Sequence, residues 1–251
     1  MTRVLITGSR GLIGGVLRRE LENDYDLVGL DVRREGIRRT RTGDMTKLES
    51  ITASFANQDV VIDLAADSSA TAGWDAVHRN NLVATFNALE ASRQAGVRRV
   101  IFASSNHVTG LYERDHPYAS IVAGRYEEVD RDAMHLIGPD DPIRPDGLYA
   151  VSKAFGEATG RLYSEEHGLS VICLRIGTVS SADRPRSARH FATLLTHADL
   201  VRLVRAAIEA PSDVRFAIVY GVSNNSWRFW DLESARASIG YVPMDDAETW
   251  R

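Results

Sequence analysis

A single cysteine occurs in 251 residues. One thiol rules out a disulfide framework within the chain and suits a reducing compartment. Cys173 stands in an apolar run, Leu169 to Leu174, where inert core packing is the expected role. No apolar run is long enough to span a membrane. No secretory leader precedes the first strand, so a cytoplasmic location is expected. Lys and Arg total 30 against 34 Asp and Glu, a formal charge of −4. With no basic block, nucleic acid is not an expected partner. Internal repeats and low-complexity tracts are missing too. His116 and His135 have acids nearby but no tight metal-ligand spacing, so no metal site is expected. The length suits one α/β domain over residues 1–251.

The first fourteen residues carry the first positive signal. Val4 to Ile6 reads as a short strand, Gly8, Gly11 and Gly14 follow, and a helical apolar pattern begins at Leu12. Strand, glycine turn and helix form the context of a dinucleotide fingerprint, here spaced GxxGxxG. Glycines let the backbone approach a pyrophosphate at the helix N-terminus. A second strand, Asp26 to Leu30, ends at Asp31, whose carboxylate suits the two adenosine ribose hydroxyls and repels a 2′-phosphate. NAD is therefore expected rather than NADP, although Arg33 and Arg34 would suit a phosphate. Asp44 fits either the adenine edge or the N-cap region of a helix over Leu48 to Phe55.

Further along, strands at Val60 to Leu64, Val100 to Ala103 and Leu169 to Ile176 alternate with helices. Ala76 to Gln94 reads as a long helix ending at Gly96, and Leu148 to His167 as one capped by Gly168. The alternation predicts a Rossmann-type, doubly wound parallel sheet with helices on both faces. Ligands of such sheets bind beyond the carboxyl ends of the strands. Gly8, Asp31, Ala65, Ser105 and Gly177 all follow strand ends and should ring one cleft. Residues 111–146 form a long polar insertion, read either as packing on the body or as a lid or subunit contact. After residue 178, helices at Asp199 to Ala210 and Asp231 to Ile239 flank an extended Arg215 to Tyr220. They suffice for a small substrate cap over residues 178–251.

Tyr149 and Lys153 lie four residues apart and share one face of their helix. An ammonium one turn away favours the phenolate of a tyrosine. A tyrosine so placed can exchange a proton with a substrate hydroxyl or carbonyl.

With the glycine turn, Asp31, Ser104-Ser105 and Tyr149-x-x-x-Lys153 in order, the chain resembles the extended short-chain dehydrogenase/reductase superfamily, the NAD-dependent epimerases and dehydratases. The likeness implies that Tyr149 transfers the proton and that Lys153 holds the nicotinamide ribose. Ser105 would bond the reacting oxygen, and Asn81 would organise the active-site helix and a water. Ser105 rather than Ser104 aligns with the family serine, four residues before the aromatic position of an ending that here reads Val108-Thr109-Gly110, with Thr109 where Tyr is usual. The implied cofactor contacts begin with Gly8, Ser9, Gly11, Leu12, Ile13 and Gly14. They continue through Asp31, Asp44, Met45, Leu64, Ala65 and Ala66 to Asn81, Tyr149, Lys153 and Ile176. The family also implies a dimer through the helices Ala76–Gln94 and Leu148–His167.

Within the superfamily, Ala103-Ser104-Ser105-Asn106-His107, Arg144-Pro145-Asp146-Gly147-Leu148-Tyr149 and Leu174-Arg175-Ile176-Gly177-Thr178 resemble motifs of uronate dehydrogenases. These oxidise C1 of a free hexuronate, such as glucuronate or galacturonate, to a lactone with NAD. The resemblance implies substrate contacts from Ser68, Ser105, Asn106, His107, Tyr149, Thr178 and Arg189, with Arg189 on the sugar carboxylate. The long 111–146 segment, Gly73-Trp74-Asp75 and Tyr220-Gly221-Val222-Ser223 are similar to NAD-dependent glucose-6-phosphate dehydrogenases, in which Arg189 would meet a phosphate. The small-molecule partner is thus expected to be a sugar acid or a sugar phosphate. A nucleotide-sugar epimerase or dehydratase is a further reading, but those enzymes hold the nucleotide with a larger C-terminal region, and only roughly seventy residues follow Gly177 here. A non-catalytic NAD-sensing protein is the last, although such relatives usually lose the Tyr or the Lys.

Overall fold

β1 (Arg3–Thr7) shows how the centre of the fold is made. Successive side chains of a strand point to opposite faces, and here both faces are apolar. Val4 and Ile6 join one buried cluster and Leu5 the other. In β4 (Val60–Asp63), Val60 and Ile62 likewise oppose Val61. In β6 (Ser170–Ile176), Ile172 and Leu174 oppose Val171 and Cys173. Strands buried on both sides belong in a parallel sheet covered by helices. The remaining strands are β2 (Asp26–Asp31), β3 (Thr40–Thr42), β5 (Arg99–Ser105) and β7 (Phe216–Gly221).

This computed structural model describes residues 1–33, 39–69 and 71–251. Among them the seven strands form one sheet in the order β3-β2-β1-β4-β5-β6-β7, every pairing parallel. The order turns back at β1, which is the switch point of a doubly wound fold. The helices α1 (Leu12–Leu21), α2 (Leu48–Phe55), α3 (Trp74–Val77) and α4 (Ala84–Gln94) come first in the chain. α5 (Tyr118–Val122), α6 (Leu148–His167), α7 (His190–Thr193), α8 (His197–Glu209) and α9 (Glu233–Ile239) follow. α1, α8 and α9 pack on one face; α2, α4 and α6 pack on the other.

The expected helix over Ala76 to Gln94 starts two residues earlier, at Trp74, and is not regular. A π-helical turn, His78–Val83, joins α3 to α4. The strand expected from Val100 begins at Arg99, a fully buried arginine. Its guanidinium donates to the carbonyls of Ala207, Ile208, Ala210 and Pro211. It thereby satisfies the end of α8, where carbonyls lack helical partners.

The 111–146 segment packs on the body. Ile137 pairs with Trp230 in a short parallel bridge, and Tyr126 stacks on Trp227 with ring centroids 4.2 Å apart. Both partners lie in the C-terminal region, so insertion and tail pack against each other. Among the described residues no helix is long and apolar enough to cross a membrane. α6 leaves Leu148, Val151, Phe155 and Leu162 exposed.

Candidate active site

The loops after the strands converge on a cleft of about 800 Å³. Gly8, Asp31, Ala65, Ser105 and Gly177, the five positions past strand ends, all line it. Parallel strands put their carboxyl ends on one side of the sheet, and this convergence follows from that.

One end of the cleft is a cradle for a dinucleotide. Gly8 turns with φ +61°, a left-handed conformation in which a side chain is strained. A Cβ on Gly14 would come within 2.8 Å of the Gly8 carbonyl oxygen, so α1 packs against the turn only because it is glycine. Gly11 caps α1 without a side-chain hydrogen bond, and Leu12 and Ile13 face the cleft. The first amides of the helix are thus open to an anion. Ser9 does not face the cleft. It is buried behind the turn, and its hydroxyl has no hydrogen-bond partner among the described residues.

Asp31 ends β2 and accepts from the Arg10 amide at 3.0 Å. Arg33 folds back onto it, Nε to Oδ1 at 3.0 Å. Burial pushes the Asp31 carboxyl up, but hydrogen bonds from Arg33 and the Arg10 amide outweigh it and leave it below the usual range. Arg33 is therefore engaged with the residue that disfavours a 2′-phosphate. Arg34 lies outside the described residues. Asp44, Met45, Leu64, Ala65, Ala66 and Ile176 all line the cleft. Of the two roles open to Asp44, the cap position itself is held by Lys47, whose amide donates to the Asp44 carbonyl. Asp44 accepts from the amide and hydroxyl of Thr46.

At the other end, Tyr149 and Lys153 project from the first two turns of α6. Lys153 Nζ lies 5.6 Å from the centre of the Tyr149 ring and 4.9 Å from that of Phe102. Beneath it is Asp63, fully buried at the end of β4. Burial raises its carboxyl to about 6, against the hydrogen bond from Thr7 and the charge of Lys153. The paired serines divide their work. Ser104 donates to Glu157 at 2.6 Å, whereas Ser105 accepts the His107 amide at 3.2 Å from the cleft wall.

Asn81 does not line the cleft, although Asn80 does. Its side chain accepts the Asp67 amide and donates to the Asp67 carbonyl and to Ser152 of α6. The π-helical turn aims it at this join. Asn81 thus fits an organiser of the active-site helix better than a cofactor contact.

Ser68, Asn106, His107 and Thr178 line the cleft as expected. His107 Nδ1 meets Asp146 at 2.6 Å, and its ring lies edge-on to Tyr149. Arg189 is the departure. It is not part of the wall. Its Nε and Nη2 bind the two Glu113 oxygens at 2.6 and 2.7 Å, and Nη1 reaches Thr178 at 3.3 Å. The guanidinium expected to hold a substrate carboxylate holds one from the chain itself. Glu113, Asp146 and Glu157 were not picked out from the sequence. All three act through partners more than ten residues away; only Asp146 stood inside a quoted motif, where nothing marked its role.

The family model described as NAD dependent epimerase/dehydratase matches residues 4–213. The chain belongs to that family. NAD is accordingly its cofactor, and the glycine cradle and Asp31 fit it. L-arabinose 1-dehydrogenase (NAD(P)(+)) of Haloferax volcanii is 35% identical, over 99% of both chains. NAD-dependent glucose-6-phosphate dehydrogenase of the same organism is 33% identical, over 97% of this chain and 94% of that one. A mutant uronate dehydrogenase from Agrobacterium tumefaciens, solved in complex with NAD, superposes with a TM-score of 0.84 at 29% identity, covering 100% of this chain and 88% of that one. The chain is an NAD-dependent oxidoreductase.

Proposed function

We propose that the cleft oxidises the C1 hydroxyl of a free sugar to its lactone. The observation that carries this reading is the placement of Tyr149, Lys153 and Ser105 in the cleft that begins at the glycine cradle. Bound NAD supplies the hydride acceptor. Ser105 holds the C1 oxygen, and Tyr149 takes the hydroxyl proton as the C–H bond breaks. Lys153, one turn on, stabilises the charge that develops on the tyrosine oxygen and anchors the ribose. Asp67 and Ser68, the first pinned through Asn81 to α6, line the cleft where this reading lays the sugar ring.

The relatives share this reaction class and differ in the far end of the sugar. The uronate dehydrogenase likeness supports a hexuronate such as glucuronate or galacturonate. The arabinose 1-dehydrogenase likeness supports an uncharged aldose and, through its name, attack at C1. The glucose-6-phosphate dehydrogenase likeness supports a sugar phosphate. The test is NADH formation from NAD with free aldoses, hexuronates, glucose 6-phosphate and UDP-sugars. Reduction with a free sugar is expected. Inertness to every free sugar, with turnover of a UDP-sugar, would replace the dehydrogenase reading with an epimerase or dehydratase.

A further inference from the structure

Glu113 closes the 3-10 segment Asn106–Arg114, the same segment that brings Asn106 and His107 to the cleft. Its carboxylate grips Arg189 with both oxygens, and the third Arg189 nitrogen leans on Thr178, a wall residue. The guanidinium is thus one side chain removed from the sugar, yet three of its donors are committed. The pair is mostly shielded, with side-chain exposures of 26% for Arg189 and 15% for Glu113. The fold fixes both ends. The Leu111 amide donates to the Arg144 carbonyl and the Arg144 amide to the Val108 carbonyl, which holds the Glu113 segment. Arg189 leads directly into α7.

A substrate carboxylate has two routes to this guanidinium. It displaces Glu113, leaving a shielded carboxylate without a partner, or it adds a second anion beside the first. Both routes are costly where water is scarce. The basic side chains that do line the cleft, among the described residues, are Arg33, His107 and Lys153. Arg33 holds Asp31 at the adenosine end, His107 holds Asp146, and Lys153 belongs to the catalytic pair. What else lines this end carries no positive charge: the carboxylate of Asp67, the hydroxyls of Ser68 and Thr178 and the amide of Asn106. Such groups read hydroxyls.

We infer that Glu113 is a specificity-determining residue that neutralises Arg189 and sets the substrate as an uncharged aldose, a pentose or hexose without a carboxylate or phosphate at its far end. The inference rests on the C1-oxidation reading and narrows its substrate.

The test compares D-galactose with D-galacturonate, and D-glucose with D-glucuronate, pairs that differ only at C6. For the unaltered protein, kcat/KM is expected to be at least about tenfold higher for the neutral member of the preferred pair. In Glu113→Gln, Arg189 is released and the neutral-to-acid ratio should fall at least about tenfold, through a lower KM for the acid. Equal or better turnover of the acid by the unaltered protein overturns the inference without any variant. An unchanged ratio in a folded Glu113→Gln protein overturns the role of Glu113. Failure to reduce NAD with any free sugar is a different result: it removes the C1-oxidation reading, and this inference with it.

Discussion

Arg175 and Glu157 form a fully buried, two-pronged ion pair between β6 and α6. Both contacts, Nε to Oε1 and Nη2 to Oε2, measure 2.9 Å. Glu157 is one turn beyond Lys153 on α6, and its Oε1 also accepts the Ser104 hydroxyl. Arg175 donates in turn to the Tyr220 hydroxyl, which meets Thr109. The network ties the helix carrying Tyr149 and Lys153 to three neighbouring strands.

Breaking this pair from one side leaves a charge stranded in the core. Glu157→Leu alone, or Arg175→Met alone, is expected to cost about 3–5 kcal/mol of stability. The double variant removes both charges and should recover much of that loss. Denaturant melts of the three variants check it. A double variant as unstable as the sum of the singles would show that the residues do not act as a pair.

On the proposed reading, Asp31 and Arg33 bear on the cofactor choice in opposite ways. Asp31 repels a 2′-phosphate and keeps Arg33 folded against itself. Asp31→Ser removes the repulsion and frees the guanidinium. The ratio of kcat/KM for NADP over NAD is expected to rise about a hundredfold, the weight of one charge-assisted contact. A ratio that stays fixed would mean that Asp31 does not read the ribose.

Asp63 predicts a pH dependence. Its folded carboxyl is raised to about 6, above the ordinary 3.8, because burial disfavours the charge. The folded state therefore binds the proton more tightly than the unfolded state. That contribution is fully present below the unfolded value and is lost as pH rises through about 6. Two units correspond to about 3 kcal/mol as an order of magnitude. Asp63→Asn has no such titration. The stability of the variant relative to the native chain should rise between about pH 4 and pH 7, whatever constant offset the amide adds. Parallel stability curves across that range would contradict it.

Much of the fold was legible because local signals agreed. α6 is bounded by Gly147 and Gly168, and α2 by a turn-rich entry, so both match the expected Leu148–His167 and Leu48–Phe55. The π-helical turn at His78–Val83 was not legible, since an extra residue in one turn leaves the apolar spacing almost unaltered. β3 was missed because Thr40–Thr42 is short, polar and at the sheet edge. In the site, residues that touch the cleft through strand-end loops could be placed from motif order. The Ser9 side chain is turned away from the cleft, which its place among the glycines does not reveal. Arg189 was read without its partner, since Glu113 lies 76 residues away.

The most direct measurement is NAD reduction by Tyr149→Phe with the preferred sugar, beside its affinity for NAD. Loss of the phenol removes the proton acceptor but leaves the glycine cradle and Asp31 intact. Turnover is expected to fall by about 10²–10⁴, with NAD affinity within a few-fold of the native chain. Turnover near the native rate would show that Tyr149 does not take the proton, and the proposed chemistry of the cleft would not stand.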